Sequence, residues 1–412
     1  MIRQMAAILI FAGLFFAGCM LDHDPIDSPP SPEPPRDLNV AERALVEADN
    51  TFGFALFKKV NELDPGKNIF ISPLSVSMAL GMTLNGTAGS TLDSMRRTLA
   101  FSSMTQQDIN DSYRSLIELI MGLDPTVTSF IANSIWYRVG LPVKTEFINV
   151  NKTYFNAEVA ALDFSDPGAP AVINAWVNKN TNGRIPNIID DIPPEIVMYL
   201  IDAIYFKGTW TTEFDPADTH DDSFRLLDGS PKAVRMMRLE DTLQYWENDD
   251  FQAVDLPYGD GFFSMTIVLP KPEKNIDQLV AQFTQENWGQ WVSGFRDKRG
   301  TLELPRFKLE YELQMNSVLQ ALGMGVAFET CCADFSGIAD VSPERLYISE
   351  VKHKTFVEVN EEGTEAAAVT SVSVGKTSVG DSFSMKVDRP FLFVIREHHS
   401  SAIMFAGKIL VP

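Results

Sequence analysis

Few residues of this chain have the types and spacing that catalysis or metal binding requires. Cys331 and Cys332 are adjacent and lie far in sequence from each of the five histidines, so they lack partners at the spacing of a zinc site. Their Cα atoms are separated by about 3.8 Å, below the floor of roughly 4.4 Å for an unstrained disulfide. We therefore expect two free thiols that serve as packing residues, and no metal site.

The usual enzyme motifs are missing from the sequence. Gly-x-Ser-x-Gly, His-Glu-x-x-His and Cys-x-x-Cys do not occur. Gly375-Lys376-Thr377 is similar to the end of a phosphate-binding loop, but Thr370 stands where the motif requires its first glycine. No motif therefore indicates an enzyme or a cofactor; an enzyme with scattered catalytic residues is the alternative.

The charge balance argues against nucleic acid as a partner. The 412-residue chain has 34 basic and 55 acidic side chains, a formal charge of -21. Such a surface repels phosphate backbones. With 45% hydrophobic and 22% charged residues, the composition is nevertheless that of a folded protein.

Residues 361–380 form the most unusual segment. They follow a strand-like run, Thr355–Val359, but neither continue it nor turn at once, and Ala366 to Gly375 contain no charge and no proline. Alternate positions place small or β-branched residues on one face, namely Thr364, Ala366, Ala368, Thr370, Val372 and Val374. This pattern indicates an exposed loop that is able to enter a sheet; an ordinary flexible loop is the alternative.

The periodicity of the remaining chain predicts an α+β fold. Apolar residues recur at helical spacing in residues 41–63, 74–84 and 173–180, and Ser72-Pro73 supplies a cap for the second of these helices. Residues 262–269, 301–309, 353–359 and 391–408 are typical of strands, the last with a hairpin turn at His398–Ser401. No linker interrupts residues 37–412, so we expect a single domain there.

The N-terminus has the features of an export signal. Arg3 precedes an apolar run from Ala6 to Ala17, which is too short to span a bilayer and ends in small residues. Phe16-Ala17-Gly18-Cys19 resembles a bacterial lipobox, in which the cysteine is lipidated; an ordinary cleaved signal is the alternative. We predict a signal peptide at residues 1–18, lipidation of Cys19 and a proline-rich acidic tether at residues 19–36. The protein is then expected outside the cytoplasm, anchored to a bacterial membrane at the cell surface or on its periplasmic face.

Five segments, in order along the chain, resemble motifs of the serpin family. They are Asn68–Ser75, Phe206–Trp210, Ala333–Ile338, Glu361–Ala368 and Met385–Ile395. The resemblance covers about Leu38 to Pro412, and the fourth segment is similar to the hinge of the inhibitory members.

This resemblance implies a suicide inhibitor of proteases with no active site of its own. In serpins an exposed reactive-centre loop, here about residues 361–380, is cut as a substrate and then inserts into the central sheet, carrying the acyl-linked protease with it. The implied partners are serine proteases, with cysteine proteases as a further class, and the protein is expected to be a monomer. The implied fold has a helix-rich N-terminal part and a large, mainly antiparallel central sheet.

The resemblance also assigns two functional regions. The hinge is the start of the reactive-centre loop, and the shutter lies beneath the inserting strand and gates the opening of the sheet. The hinge residues are Glu361, Gly363, Thr364, Glu365, Ala366, Ala367 and Ala368, and the shutter residues, by motif match, are Ser72, Ser75, Asp202 and His353. The family usually has asparagine where this chain has Asp202. A carboxylate facing His353 would favour the imidazolium and make the shutter sensitive to pH. A core histidine satisfied by any neighbour is the alternative.

The position of the reactive bond depends on how the loop is counted. Counting forward from Glu361 puts cleavage after Thr377, a loop shorter by one residue puts it at Lys376-Thr377, and counting back from Pro390 gives Val379. Lys376 suits a trypsin-like pocket, whereas Thr377 or Val379 suits elastase-like or subtilisin-like enzymes. We favour Lys376, so the predicted region of cleavage is Lys376, Thr377 and Ser378; the alternative is that Lys376 is a solubilising charge only.

A non-inhibitory serpin, acting as a surface binding or structural lipoprotein, is the alternative function. Members of that kind tend to carry bulky or charged residues in the hinge. This chain has Thr364 followed by three alanines at positions 366–368, which favours inhibition.

Overall fold

The first helix begins at a capping box. Asn39 accepts a hydrogen bond from the Glu42 backbone N–H at 2.9 Å, and the Glu42 carboxylate accepts one from the Asn39 N–H at 2.7 Å. These bonds satisfy N–H groups that would otherwise lack partners at the helix start. The helix continues to Leu63 and agrees with the predicted span.

The computed structural model describes residues 34–364 and 382–412, apart from the side chains of residues 129, 130 and 202. These residues belong to one compact unit, residues 32–412. Within the described ranges, no helix combines the length and the apolar character needed to cross a membrane. The predicted signal peptide, Cys19 and most of the tether lie outside the described residues and stay predictions.

Helices are concentrated in the first half of the described chain. They are α1 (Val40–Leu63), α2 (Pro73–Leu84), α3 (Gly89–Thr98), α4 (Gln106–Gly122), α5 (Thr145–Phe155), α6 (Ala169–Asn180), α7 (Ile276–Ala281), α8 (Gln285–Gly294) and α9 (Asn316–Leu319). As predicted, Ser72 caps α2 and Pro73 is its first residue. A 3-10 turn at Gly325–Phe328 follows α9 after an irregular turn.

The strands form two sheets. They are β1 (Ile69–Ile71), β2 (Thr128–Arg138), β3 (Glu158–Leu162), β4 (Met198–Thr209), β5 (His220–Arg225), β6 (Pro231–Glu247), β7 (Phe251–Tyr258), β8 (Phe263–Pro270), β9 (Arg296–Pro305), β10 (Phe307–Gln314), β11 (Lys352–Val359), β12 (Gly363–Thr364), β13 (Phe383–Lys386), β14 (Phe391–Glu397) and β15 (Ile403–Ile409).

One sheet has six strands in the order β10-β11-β12-β4-β2-β3. The other has nine, in the order β1-β15-β14-β8-β7-β6-β9-β13 with β5 beside β6. Pairing is antiparallel except for β2 with β3 and β13 with β9. The predicted α+β class is therefore confirmed.

One predicted strand is in fact two strands in different sheets. The run expected at residues 301–309 is divided at Arg306, because β9 ends at Pro305, which has no N–H to donate. The Arg306 N–H donates to the Arg235 carbonyl at 2.9 Å. β10 then starts at Phe307 beside β11, so the chain changes sheets at this point.

The main hydrophobic core lies between the helices and both sheets. Phe70 of β1 stacks on Phe405 of β15, with ring centroids 5.1 Å apart, and on Phe393 of β14 at 5.5 Å. A smaller cluster joins α6 to β2 and β4, and it contains Ile173, Val177, Trp136, Tyr199 and Ile201. This cluster places α6 on one face of the six-stranded sheet.

The two adjacent cysteines are bonded to each other, so the expectation of two free thiols is wrong. That expectation applied a Cα spacing limit that describes cysteines on separate segments. Here the chain turns, because the N–H groups of Cys332 and Ala333 both donate to the Glu329 carbonyl, at 3.2 and 3.0 Å. The turn brings both sulfur atoms to the same side.

Asp49 is a buried carboxyl group inside the helical part. Its Oδ1 accepts hydrogen bonds from Ser77 Oγ at 2.5 Å and from Tyr113 OH at 2.8 Å, whereas Oδ2 has no partner among the described atoms. Burial raises the pKa of Asp49 to about 7, against the lowering effect of the two hydroxyl groups. The folded state therefore favours the protonated carboxyl.

Replacing Asp49 with Asn should change how stability depends on pH. The pKa of Asp49 is about 7 in the folded state and 3.8 in an unfolded chain. Its contribution to stability is therefore full below about pH 4 and is lost as the pH rises to about 7. We expect the urea midpoint of Asp49→Asn, relative to wild type, to rise across this range. Parallel pH curves for the two proteins would contradict the assignment, and the exposed Asp93→Asn serves as control.

Candidate functional site

In the six-stranded sheet, the region between β4 and β11 is where the predicted hinge lies. Only β12 lies there: Thr364 pairs with Val359 of β11 and with Gly208 of β4, and Gly363 pairs with Thr209. Along the rest of β4 and β11, the two edges that face each other pair with no strand in the described part of the chain. The predicted hinge therefore enters the sheet at Gly363 and Thr364.

The turn between β11 and β12 is shaped by Asn360. Its Oδ1 accepts hydrogen bonds from the N–H groups of Glu362 and Gly363, at 3.0 and 3.2 Å. Gly363 has a φ of +148°, and a Cβ there would lie 2.1 Å from the Gly208 carbonyl oxygen. Only glycine permits this approach of the hinge to β4.

Thr364 is the first hinge residue with a side chain inside the sheet. It is 2% exposed, and its Oγ1 lies 2.6 Å from the OH of Tyr258. Tyr258 stacks on Trp210, with ring centroids 4.4 Å apart, and burial raises the pKa of Tyr258 above its usual range. The phenol therefore stays protonated and can donate to Thr364.

Glu361 holds the entrance to the hinge. Its Oε1 accepts hydrogen bonds from Arg306 Nε at 2.7 Å and from Thr219 Oγ1 at 2.5 Å, and it lies 2.6 Å from Arg306 Nη2 in an ion pair. Burial alone would raise the pKa of Glu361, but the hydrogen bonds from Arg306 and Thr219 outweigh it and hold the pKa below its usual value. The carboxylate is thus charged and tied to two other segments of the chain.

The backbone beside Glu361 is fixed as well. The Phe214 N–H donates to the Glu361 carbonyl and the Trp210 N–H donates to the Glu362 carbonyl, each at 2.9 Å. The Trp210 indole N–H donates to the Asn360 carbonyl at 3.0 Å. These contacts fix the end of the sheet at which an inserting strand would start.

Three predicted shutter residues lie together beneath the sheet. The Ser72 N–H donates to His353 Nε2 at 3.0 Å, Ser72 Oγ donates to the Met404 carbonyl at 2.7 Å, and the Ser75 N–H donates to Ser72 Oγ at 3.3 Å. Ser72, Ser75 and His353 are buried. The fourth, Asp202, pairs with Asn133 through the β4–β2 ladder, but its side chain lies outside the described part.

His353 differs from the expectation of an imidazolium. Burial lowers its pKa to about 4. Because Nε2 accepts a hydrogen bond from Ser72, that nitrogen carries no proton. The ring is therefore neutral across the physiological pH range.

The remaining predicted site residues lie outside the described residues. They are Glu365, Ala366, Ala367 and Ala368 of the hinge, Lys376, Thr377, Ser378 and Val379 near the reactive bond, and Cys19. Sequence reasoning missed the roles of Arg306, Thr219 and Tyr258. Trp210 stands in a recognised motif, but no pattern connected it to the hinge.

Comparison with known proteins shows the family. The family model described as serpin (serine protease inhibitor) matches residues 47–412, and the chain belongs to this family. Serpin B10 of Sorex araneus is 33% identical over 90% of this chain and 100% of its own length, and Iripin-2 of Ixodes ricinus is 35% identical over 89% and 94%.

Solved serpin structures have the same fold. The native state of the thermophilic serpin tengpin matches with a TM-score of 0.83 and 33% identity, over 92% of this chain and 97% of that one. The latent state of tengpin matches with a TM-score of 0.79. Human thyroxine-binding globulin, solved as a complex, matches at 0.83 with 27% identity over 90% of this chain and 100% of that one.

Replacing Glu361 with Gln should loosen the hinge. The change removes the negative charge that Arg306 and Thr219 contact, and we expect a loss of about 1–3 kcal/mol in unfolding free energy, measured by urea denaturation. Glu358→Gln is the matched control, because Glu358 lies 3.7 Å from Lys308 with both side chains more than a third exposed. Its loss should stay below about 0.5 kcal/mol. Equal losses in the two variants would contradict a special role for Glu361.

Proposed function

We propose that this serpin inhibits serine proteases by trapping them as covalent acyl complexes. A protease cuts the loop after β12, and the free loop enters the sheet as a strand between β4 and β11. The single observation that carries the proposal is β12 itself. Thr364 already pairs with both β11 and β4, Gly363 pairs with β4, and the rest of the described edges of β4 and β11 that face each other pairs with no other described strand.

The register of β12 supports the direction of insertion. Thr364 pairs with Val359 and Gly208 in antiparallel ladders, so each later loop residue would meet one earlier residue on both strands. Residues 365–374 would then cover β4 from Lys207 to Met198. Thr370 would meet His353 on one side and Asp202 on the other, which places a small polar residue at the shutter.

The face of the inserted strand follows from Thr364. This side chain already points into the core, so residues 366, 368, 370, 372 and 374 would point the same way. All five are small or β-branched. His353, Thr355, Val357 and Val359 are the buried residues of β11, and they would border this face without meeting a charge from the loop.

Thr364→Arg should convert the inhibitor into a substrate. An arginine there would carry an unpaired charge into the sheet beside Tyr258, at a cost of several kcal/mol. Insertion would then be slower than hydrolysis of the acyl link, and the protease would be released. We expect cleavage without a covalent complex on a denaturing gel after mixing with trypsin or elastase.

Two controls accompany this test. The first is Glu365→Arg at the neighbouring position. Alternation puts this residue on the other face of the strand, and it is already charged in this chain, so the variant should still form the complex. Thr364→Val removes only the hydroxyl that meets Tyr258 and should also keep it. Full trapping by Thr364→Arg would refute the insertion mechanism for this chain.

We propose Lys376 as the residue before the reactive bond for trypsin-like proteases. Replacing Lys376 with Ala should remove at least about nine-tenths of trypsin complex formation, a tenfold change or about 1.4 kcal/mol. Complexes with an elastase, which would attack Thr377 or Val379, should persist. Mass spectrometry of the released C-terminal fragment names the bond, and unchanged trypsin trapping would exclude Lys376.

The non-inhibitory alternative is favoured by one comparison. Thyroxine-binding globulin, which was solved in complex with thyroxine, has the same fold at a TM-score of 0.83. Clean cleavage of the wild-type chain without a complex, for each protease tested, would support a binding role of this kind. In either case we propose export by residues 1–18 and anchoring to a bacterial membrane through lipidated Cys19.

A further inference from the structure

Glu329, Cys331 and Cys332 form an exposed group in the turn after Gly325–Phe328. We call it the Glu329–Cys332 turn. All three side chains are exposed, and one ligand atom of each lies within 4.8 Å of the others. Glu329 Oε2 is 4.0 Å from Cys331 Sγ. Among the described residues, this is the one group of three or more histidine, cysteine or acidic side chains with such spacing.

The chain on both sides of this turn is anchored to other segments. Before it, the Ala327 carbonyl accepts from the Ile348 N–H at 2.9 Å. After it, the Asp334 carbonyl accepts from the Ala88 N–H at 3.0 Å, and the Asp334 N–H donates to Thr91 Oγ1 at 2.9 Å. None of these bonds involves a cysteine. These bonds do not depend on the disulfide, so we expect the backbone of the turn to keep its position when the bond between the two sulfur atoms opens.

We propose that the Glu329–Cys332 turn is a site for a thiophilic cation such as Zn²⁺ or Cd²⁺, closed by the disulfide and opened by reduction. Two molecules of a small thiol supply the two electrons and two protons: they become one small disulfide, and the Cys331–Cys332 bond becomes two thiols. On metal binding the thiols lose both protons. The ligands are then two thiolates and the Glu329 carboxylate, and water completes the set.

The chemistry of the donors selects this class of ion. Thiolates favour soft or borderline cations over Mg²⁺ and Ca²⁺, which require several oxygen ligands. The single carboxylate adds a negative charge beside the sulfur pair. Neither step uses the hinge or the loop, so the inference is independent of the proposed inhibition.

The test uses the full chain with Cys19→Ser, so that only the adjacent cysteines can react. Without reductant, alkylation and peptide mapping should find neither Cys331 nor Cys332 labelled, and both should be labelled after a phosphine reductant. The reduced chain, freed of reductant without oxygen, is then titrated with Cd²⁺. The thiolate-to-cadmium charge-transfer band in the ultraviolet should saturate at one ion per chain, with at least tenfold weaker binding by the oxidised chain.

Three variants sharpen the result. Cys331→Ser and Cys332→Ser should each lose the one-to-one charge-transfer band, and Glu329→Gln should weaken Cd²⁺ binding severalfold. Glu344→Gln, another exposed acid nearby in sequence, should leave it unchanged. Labelling of both cysteines before reduction would overturn the redox closure, and a reduced chain that gives no band, or a band that survives in both serine variants, would overturn the metal site.

Discussion

The facing edges of β4 and β11 are the constraint on which the rest of this molecule depends. A strand edge presents a row of N–H and C=O groups, and each group that finds no partner when water is excluded costs free energy. Of the described strands, only β12 satisfies part of both edges, with two residues. In the proposed mechanism the sheet is therefore the template for a strand that this chain carries in its own sequence. Insertion would lower the free energy by completing the ladders on both sides at once.

The hinge turns this general tendency into a defined register. Neither Gly363 nor Gly208 leaves room for a larger side chain: a Cβ on Gly363 would lie 2.1 Å from the Gly208 carbonyl oxygen, and a Cβ on Gly208 would lie 2.8 Å from the Tyr258 ring. Thr364 then fixes which face of the strand points inward. A shift by one residue would direct the other face, beginning with Glu365, into the core. Glu361 and Arg306 hold the same turn from outside the sheet, so charge pairing and backbone shape specify one alignment.

Local features of the sequence predicted the elements that local interactions determine. Ser72-Pro73 located the start of α2, and helical periodicity located α1, because caps and amphipathic faces act within a few residues. The hairpin of β14 and β15 was predicted for the same reason.

The division between β9 and β10 was missed, since strand composition alone does not reveal which sheet a residue joins. The contact of Arg306 with Glu361 spans 55 residues, and no pattern in a single sequence connects them. The resemblance to serpins supplied the hinge and shutter residues, but it gave no partner for Glu361.

Helix α2 links the sheet to the helical part through two titratable groups of opposite effect. At its start, Ser72 donates to His353 of β11, and one turn further Ser77 donates to Asp49 of α1. Burial disfavours the charged form of both groups, so acid protonates Asp49 in the folded state and leaves His353 neutral until its pKa of about 4. The unfolded chain behaves in reverse, with reference pKa values of 3.8 and 6.5. Between about pH 4 and 6.5, acidification therefore stabilises through Asp49 and destabilises through His353. Because the two effects oppose each other, the free energy of unfolding depends less on pH in this range than either group alone would make it.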